Sequence, residues 1–427
     1  MIQRAAVIST GDELTTGRIV DTNANYLADQ LTQIGVELVA VLAVGDVPER
    51  LEWAWRQAMA IGDVVISTGG LGPTVDDLTT ETIARLAGRK LMLSQAVADH
   101  IRALFAGRGR RMPENNLKQA MFPEGAEIIS NPIGTAPGFR LPLTHEGRSV
   151  HLIVLPGVPR EMKPMMQESV LPWLRANRGS GEVYLTRTFQ TFGITESALD
   201  EAVGQVISAE QARLSFRASF PEISVRITVQ GDPASAAQKL EALAARVRER
   251  LGEFVYGEGD TSMEAVVGEL LSRRGLTLAV AESCTGGLIG HRLTNVPGSS
   301  RYLKADFVTY SNAAKIQTLN VAVSTLEQHG AVSEQCVKEM AQGARKAAGA
   351  DLALATSGIA GPNGGTPEKP VGTVWVALAA PELTFARRYQ MYGDRQWIKL
   401  LASQVGLDWI RRYALGLELG KSLPFRR

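Results

Sequence analysis

At 427 residues and 46.0 kDa the chain exceeds what one hydrophobic core organises, so two or three domains are expected. A 45% hydrophobic, 21% charged composition excludes a disordered or fibrous protein, and 45 basic against 44 acidic residues is not the balance of a dedicated nucleic-acid binder. No apolar run reaches the roughly 18 residues of a membrane helix. The start, Met1–Ser9, carries no signal core and reads as a first strand, while Cys284 and Cys336 are too few for a disulfide framework. A reducing, cytoplasmic setting is expected.

In chain order, Ala5–Ser9 is a strand, Asn25–Leu38 carries Leu27, Leu31 and Ile34 at helical spacing, and Val36–Val44 is a second strand. Pro48 opens a helix with Leu51, Trp55 and Met59. Asp63–Ser67 is a third strand, and His151–Leu155 another, followed by a helix through Met165. Strands alternating with amphipathic helices predict a mostly parallel covered sheet over 1–175. Asn177–Gly181 is a polar linker signal. Residues 176–258 read as a small α+β module, with strands at Val183–Thr191, Ala212–Ser219 and Ile223–Val229 and helices at Ser197–Val206 and Ala236–Leu251. Gly257–Asp260 reads as a second hinge, with Thr261 or Ser262 able to cap the next helix. Over 259–427 the alternation returns: strands at Leu276–Ala281, Phe307–Tyr310, Leu352–Thr356, Val371–Leu378 and Thr384–Tyr392, and helices at Met263–Arg273, Ser333–Ala348 and Gln396–Tyr413. The fold class is α/β, two α/β domains joined by a small α+β module.

Three glycine-rich turns follow strands of the first domain, at Ser9–Glu13, Ser67–Asp77 and Leu155–Glu161. In a parallel sheet such turns share one carboxyl edge, and glycine lets backbone N–H groups approach an anion. Thr10, Gly11, Thr68, Gly69, Gly70, Gly72, Thr74 and Gly157 are the phosphate-side candidates, with hydroxyls of Ser67, Thr68 and Thr74 as donors and Lys118 and Arg140 as cationic partners. Carboxylates Glu13, Asp76, Asp77 and Glu161 beside a phosphate cradle point to a bridging divalent cation. The competing reading makes Asp76 or Asp77 a helix cap and Glu161 a solvated first-turn acid. The five histidines and two cysteines show no zinc spacing.

In the last domain Ala281-Glu282-Ser283-Cys284-Thr285-Gly286-Gly287 follows a strand and opens a helix, the geometry that presents a hydroxyl or thiol at a helix start. Ser283 and Cys284 are both placed for this, and spacing does not choose between them. With no histidine in a triad pattern, a lysine made neutral by burial is the available base, and Lys315, near Tyr310, is the candidate. The bland alternative has Ser283 as an N-cap and Lys315 on the surface.

These residues resemble a known family. The Gly70–Thr79 string, with Asn116–Ala120, Gly134–Gly138 and Pro156–Met162, is similar to the molybdopterin-binding-like N-terminal domain of the CinA competence/damage-inducible proteins. Ala281–Gly287, Phe307–Lys315, Gly330–Ser333, Ser357–Gly365, Glu368–Trp375 and Gly393–Arg395 look like the CinA C-terminal domain, of nicotinamide mononucleotide deamidase type. The resemblance implies two hydrolases in one chain. One converts ADP-ribose to AMP and ribose 5-phosphate with a divalent metal (Mg, Mn or Co, with K as a further candidate cation) on Glu13, Asp76, Asp77 and Glu161, and with Lys118 on phosphate. The other converts nicotinamide mononucleotide to nicotinic acid mononucleotide and ammonia without a cofactor. It implies Ser283 as nucleophile, Lys315 as base, Tyr310 in support and Arg395 as phosphate or catalytic ligand. Thr285, Gly286 and Gly287 would supply the oxyanion hole, and Ser357, Gly358, Gly361 and Gly365 would hold the ribose phosphate. The middle module is similar to a KH domain, but Phe192-Gly193-Ile194-Thr195-Glu196 lacks the second glycine of the GXXG clamp, so nucleic acid is not expected. Small-molecule nucleotides as partners and a homodimer are expected.

Overall fold

The computed structural model describes residues 2–178, 182–208 and 211–420, so Gly179–Gly181 of the linker signal lie outside the described residues. The chain packs as two units, 1–185 with 230–237 and 186–229 with 238–427. Its strands are β1 Arg4–Thr10, β2 Glu37–Val44, β3 Val64–Thr68, β4 Leu91–Leu93, β5 Met121–Pro123, β6 Glu127–Ile129, β7 Gly138–His145 and β8 Arg148–Leu155, then β9 Val183–Thr191, β10 Arg213–Ser219, β11 Glu222–Gly231 and β12 Val255–Glu258, then β13 Leu278–Glu282, β14 Leu303–Val308, β15 Leu352–Gly358, β16 Thr373–Ala379 and β17 Thr384–Gln390. They form α/β sheets at either end of the sequence and a small sheet from the middle.

The first sheet runs β2-β1-β3-β8-β7-β6, with β2, β1, β3 and β8 parallel. Its central strands are continuous apolar runs because both faces are covered. Ala5 and Val7 pack with Leu27, Leu31 and Met162, whereas Ala6 and Ile8 pack with Leu51, Trp55 and Val154. The covering helices start where local chemistry allows. Asp21 accepts from Ala24 N–H at the helix Thr22–Gln33, and Pro48 and Pro159 occupy first turns. That first helix stops at Gln33 rather than reaching Leu38, because Gly35 takes φ +73° and the chain then joins β2. The register pairs Thr10 with Val44, Ser9 with Thr68 and Thr68 with Leu155, so the four parallel strands end level. The turns at Gly11, Gly45, Gly69 and Pro156 therefore share one edge. The antiparallel ribbon β6–β7 and the helix Gln95–Ala106 escaped the sequence reading.

The four-stranded sheet runs β10-β11-β9-β12. Gly257 and Glu258 belong to β12, which pairs with β9, so the expected hinge at 257–260 is half strand. Ser262 caps the helix Met263–Arg274, accepting from Ala265 N–H at 3.3 Å. The last sheet, β14-β13-β15-β16-β17, is parallel across β14, β13 and β15 and antiparallel beyond. One face carries the helix Glu334–Ala348, and the other buries the helix Arg395–Leu415 almost on all sides. No helix among the described residues is long and apolar enough to cross a membrane.

Candidate active sites

The shared edge of the first sheet opens into a cavity of about 610 Å³ lined by Thr10, Gly11, Glu13, Thr68, Gly69, Gly70, Gly72, Asp76, Asp77, Gly157 and Glu161. Eleven of the thirteen residues expected there come together. Thr74 is absent from this lining, and Lys118 lines a small adjoining cleft, where its Nζ donates to Thr74 O at 3.1 Å. Gly69 sits at φ +106°, and a Cβ there would stand 2.5 Å from the Thr10 carbonyl oxygen, so only glycine lets the β1 and β3 turns meet.

The expected hydroxyl donors are diverted. Thr68 Oγ1 accepts from Asn23 Nδ2 (2.9 Å) and donates to Pro156 O (3.0 Å), Thr74 Oγ1 donates to Asp77, and Ser67 is fully buried away from the cavity. The Gly69 N–H is also taken, by Leu155 O at 3.1 Å, so the backbone of Gly70–Gly72 is what remains to meet an anion. Two carboxylates are similarly engaged: Asp77 accepts from Thr74 N–H at 2.9 Å and Glu161 from Asn131 Nδ2 at 2.8 Å. Neither Asp76 nor Asp77 caps the following helix, whose N-cap is Leu78 without a side-chain bond.

Sequence reasoning missed Asp46, which lines the same cavity. Asp12 N–H donates to Asp46 Oδ2 (3.0 Å) and Asp46 N–H to Asp12 Oδ1 (3.1 Å), locking the β1 and β2 turns together. Burial, and then the charges of Asp12, Glu13 and Asp76, push the Asp46 carboxyl up from its usual range. The signal was legible: Gly45-Asp46 follows a strand as Gly11-Asp12 does. Among the described residues no three His, Cys, Asp or Glu side chains converge to ligate a metal by themselves. Crowded carboxylates beside bare backbone fit a hard cation that takes one or two protein oxygens and completes its shell with ligand phosphate.

The second cavity, about 260 Å³, lies at the ends of β13 and β15 and holds Ser283, Cys284, Tyr310, Asn312, Lys315, Ser357, Gly358, Gly361, Asn363 and Arg395. All four expected catalytic residues are there. Ser311 caps the helix Asn312–Leu319, which turns Lys315 inward to 1% exposure. Lys315 Nζ lies 3.1 Å from Ser283 Oγ and donates to the carbonyls of Thr309 (2.8 Å) and Tyr310 (3.4 Å). Burial holds the Lys315 amine below its ordinary pKa. The same burial pushes the Cys284 thiol up to about 12, so Cys284 is a thiol rather than a nucleophilic thiolate.

Two expectations need correction. The helix after β13 begins at Leu288, so Ser283 stands in a turn ahead of it and caps nothing. Thr285, Gly286, Gly287 and Gly365 do not line the cavity, and the Gly286 and Gly287 N–H groups are spent on Ser283 O (3.1 Å) and Glu282 Oε2 (2.9 Å). Those two amides are not free for an oxyanion. The Tyr310 hydroxyl accepts from Arg395 Nη2 at 2.8 Å, and it is the Tyr310 carbonyl that meets Lys315. Arg395 Nη1 also donates to Gly361 O at 2.8 Å. Asn312 and Asn363 were not anticipated. In the middle module Thr195 caps the helix Glu196–Gly204, and Arg248 is bound by Glu258 and Glu241.

Comparison with known proteins finds three matched stretches. Residues 6–176 match the family described as "Probable molybdopterin binding domain", 186–257 the "Damage-inducible protein CinA KH domain", and 260–414 the "CinA C-terminal domain". A CinA-like protein of Dictyoglomus thermophilum is 43% identical over 417 residues, covering 97% of this chain and 100% of its own. Another, of Desulfosudis oleivorans, is 43% identical over 415 residues, covering 96% and 100%. Among solved structures, a competence/damage inducible protein of Agrobacterium tumefaciens is 38% identical with a TM-score of 0.34, covering 36% of this chain and 97% of its own.

Proposed function

We propose, for a chain that belongs to the CinA family, a bifunctional pyridine-nucleotide recycling enzyme with domains at 1–175, 176–258 and 259–427. The last domain hydrolyses nicotinamide mononucleotide to nicotinic acid mononucleotide and ammonia. The observation carrying this is the buried Ser283–Lys315 pair at 3.1 Å. Lys315, whose charged form burial disfavours, takes the Ser283 proton as Oγ attacks the carboxamide carbon. The tetrahedral intermediate collapses as Lys315 returns that proton to the departing nitrogen, releasing ammonia and leaving an ester on Ser283. A water, deprotonated by Lys315, cleaves the ester to the acid and restores the serine hydroxyl. With Gly286 and Gly287 engaged and the Ile359 N–H donated to Thr373 O at 2.9 Å, the Ala360 and Gly361 amides lining the cavity are the source we assign to oxyanion stabilisation. Arg395, Asn312 and Asn363 suit the substrate's phosphate and ribose hydroxyls. The test is ammonia release from nicotinamide mononucleotide in EDTA: activity that persists in Cys284→Ala and vanishes in Ser283→Ala supports the reading, and a silent wild type sinks it.

For the first domain the proposal is metal-dependent cleavage of ADP-ribose to AMP and ribose 5-phosphate. One or two of the carboxylates Glu13, Asp46 and Asp76 would hold a divalent cation together with the ligand's phosphates, while the Gly70–Gly72 backbone would bind the pyrophosphate. When bound, the cation neutralises pyrophosphate charge and activates a water. The diverted hydroxyls favour a second reading, in which this cavity binds a nucleotide or pterin without turning it over. A homodimer, a cytoplasmic setting and small-molecule nucleotides as the partners belong to the same proposal.

A further inference from the structure

The β10–β11 hairpin of the middle module ends in Phe220-Pro221, and the Phe220 ring stacks on Trp397 with centroids 4.0 Å apart and planes at 20°. Trp397 lies in the first turn of the helix Arg395–Leu415, where backbone N–H groups have no intrahelical acceptor and ends fray. That turn is held by one cap, Asp394 Oδ1 accepting from Trp397 N–H at 2.9 Å. The cap is close-packed, since a Cβ on Gly393 would stand 2.9 Å from Trp397 Cβ. Arg395, the first helical residue, spans the cavity from Gly361 O to Tyr310 Oη. The stack, the cap and the guanidinium thus lie within five consecutive residues.

Farther along the same helix a different tether joins the same hairpin. Gln404 Nε2 donates to Glu222 Oε1 at 2.7 Å, and Gln404 Oε1 accepts from Arg292 Nη2 at 2.6 Å. That tether fixes the body of the helix, two turns from the cavity. The hairpin therefore makes two separable contacts, one on the turn that carries Arg395 and one remote from it.

We propose that Phe220 is a positioning residue for Arg395: by pinning Trp397 it holds the first helical turn so that the guanidinium bridges Gly361 and Tyr310 in a phosphate-ready orientation. This rests on the reading of the Ser283–Lys315 cavity as a nucleotide site with Arg395 on the phosphate. The middle module then acts as a brace on a neighbouring active site, a role that needs no nucleic acid.

The test is steady-state ammonia release from nicotinamide mononucleotide, together with amide exchange at 361–364 and 395–398, in Phe220→Ala, Phe220→Tyr, Gln404→Ala, Arg395→Ala and the Phe220→Ala/Arg395→Ala pair. Loss of the stack is expected to raise KM about three- to tenfold with kcat within about twofold, the scale of one aromatic pair. Phe220→Tyr restores KM, Gln404→Ala leaves it unchanged, and Phe220→Ala adds nothing once Arg395 is gone. An unchanged KM in Phe220→Ala, an equal rise in Gln404→Ala, or full additivity with Arg395→Ala overturns the proposal. If the wild type releases no ammonia, the deamidase reading falls and exchange decides the positioning role by itself. Faster exchange at both segments in Phe220→Ala but not in Gln404→Ala supports it, and unchanged exchange overturns it.

Discussion

Lys315 Nζ and Ser283 Oγ stand 3.1 Å apart although 32 positions separate them in the chain. The contact exists because β13 and β14 are parallel neighbours: the turn after one carries Ser283, and the helix after the other carries Lys315. Thr309 N–H donating to Glu282 O at 2.9 Å ties the two strand ends together just before both residues.

A buried lysine as the base of the proposed deamidation makes that reaction pH-dependent in one direction. Below its lowered pKa Lys315 is an ammonium and cannot accept the serine proton, so ammonia release falls with one-proton slope as pH drops. Stability follows the same ionisation. Between the lowered folded value and the unfolded value of about 10.4 the unfolded chain binds the extra proton, so stability rises with pH there. Lys315→Met, which escapes the cost of a buried ammonium, should therefore melt above wild type near neutral pH. That margin should shrink toward about pH 10. A constant margin across pH would contradict a depressed lysine pKa.

Asp306, on the edge strand β14, gives the opposite sign. Burial and then the Glu282 charge raise its carboxyl to about 7, while Glu282 accepts the N–H groups of Gly287 and Gly290, both at 2.9 Å, beneath the Ser283 turn. The folded state keeps a proton that the unfolded chain loses above about pH 3.9, so stability falls as pH rises from there through 7. Asp306→Asn, uncharged throughout, should gain in melting temperature relative to wild type across that window and level off above it. Parallel melting curves from pH 4 to 8 would show that the two carboxyls share no proton.

For the first cavity, Asp76→Ala and Asp46→Asn should each weaken divalent-metal dependence of AMP release from ADP-ribose by about one to two orders of magnitude, the usual scale for groups around a metal. Ammonia release should stay unchanged in both. If wild type binds ADP-ribose in the presence of metal yet yields no AMP, the non-catalytic reading replaces the pyrophosphatase.

Asp408 carries a structural prediction. Its two oxygens accept from Arg411 Nε (2.8 Å) and Nη2 (2.6 Å) and from Arg412 Nε (2.8 Å), with all three residues buried. Removing one partner of a buried ion network leaves charge without compensation, so Asp408→Ala should cost about 3 kcal/mol or more in denaturant unfolding. A loss below about 1 kcal/mol would mean that the Glu253 contacts of Arg411 and Arg412 suffice.

The sequence by itself determined the parallel cores, the turns that follow their strands and the residue types placed there. Those properties are local: a doubly covered strand must be apolar throughout, as β1 and β13 are, and a chain leaving a strand beside an anion site needs glycine. It also supplied Ser283 and Lys315 as candidates, since few residues can serve as nucleophile and base. Tertiary structure decided which groups are free to act. In the proposed deamidation Ser283 is preferred to its neighbour because burial raises the Cys284 thiol, and Lys315 is the proposed base because the helix after β14 turns it inside. The Thr68 hydroxyl is lost to phosphate because Pro156 and Asn23 reach it first, and the Gly287 amide is lost to the oxyanion because Glu282 takes it. Hydrogen-bond partners and desolvation are set by what the fold brings alongside a residue, so its own stretch of chain cannot announce them.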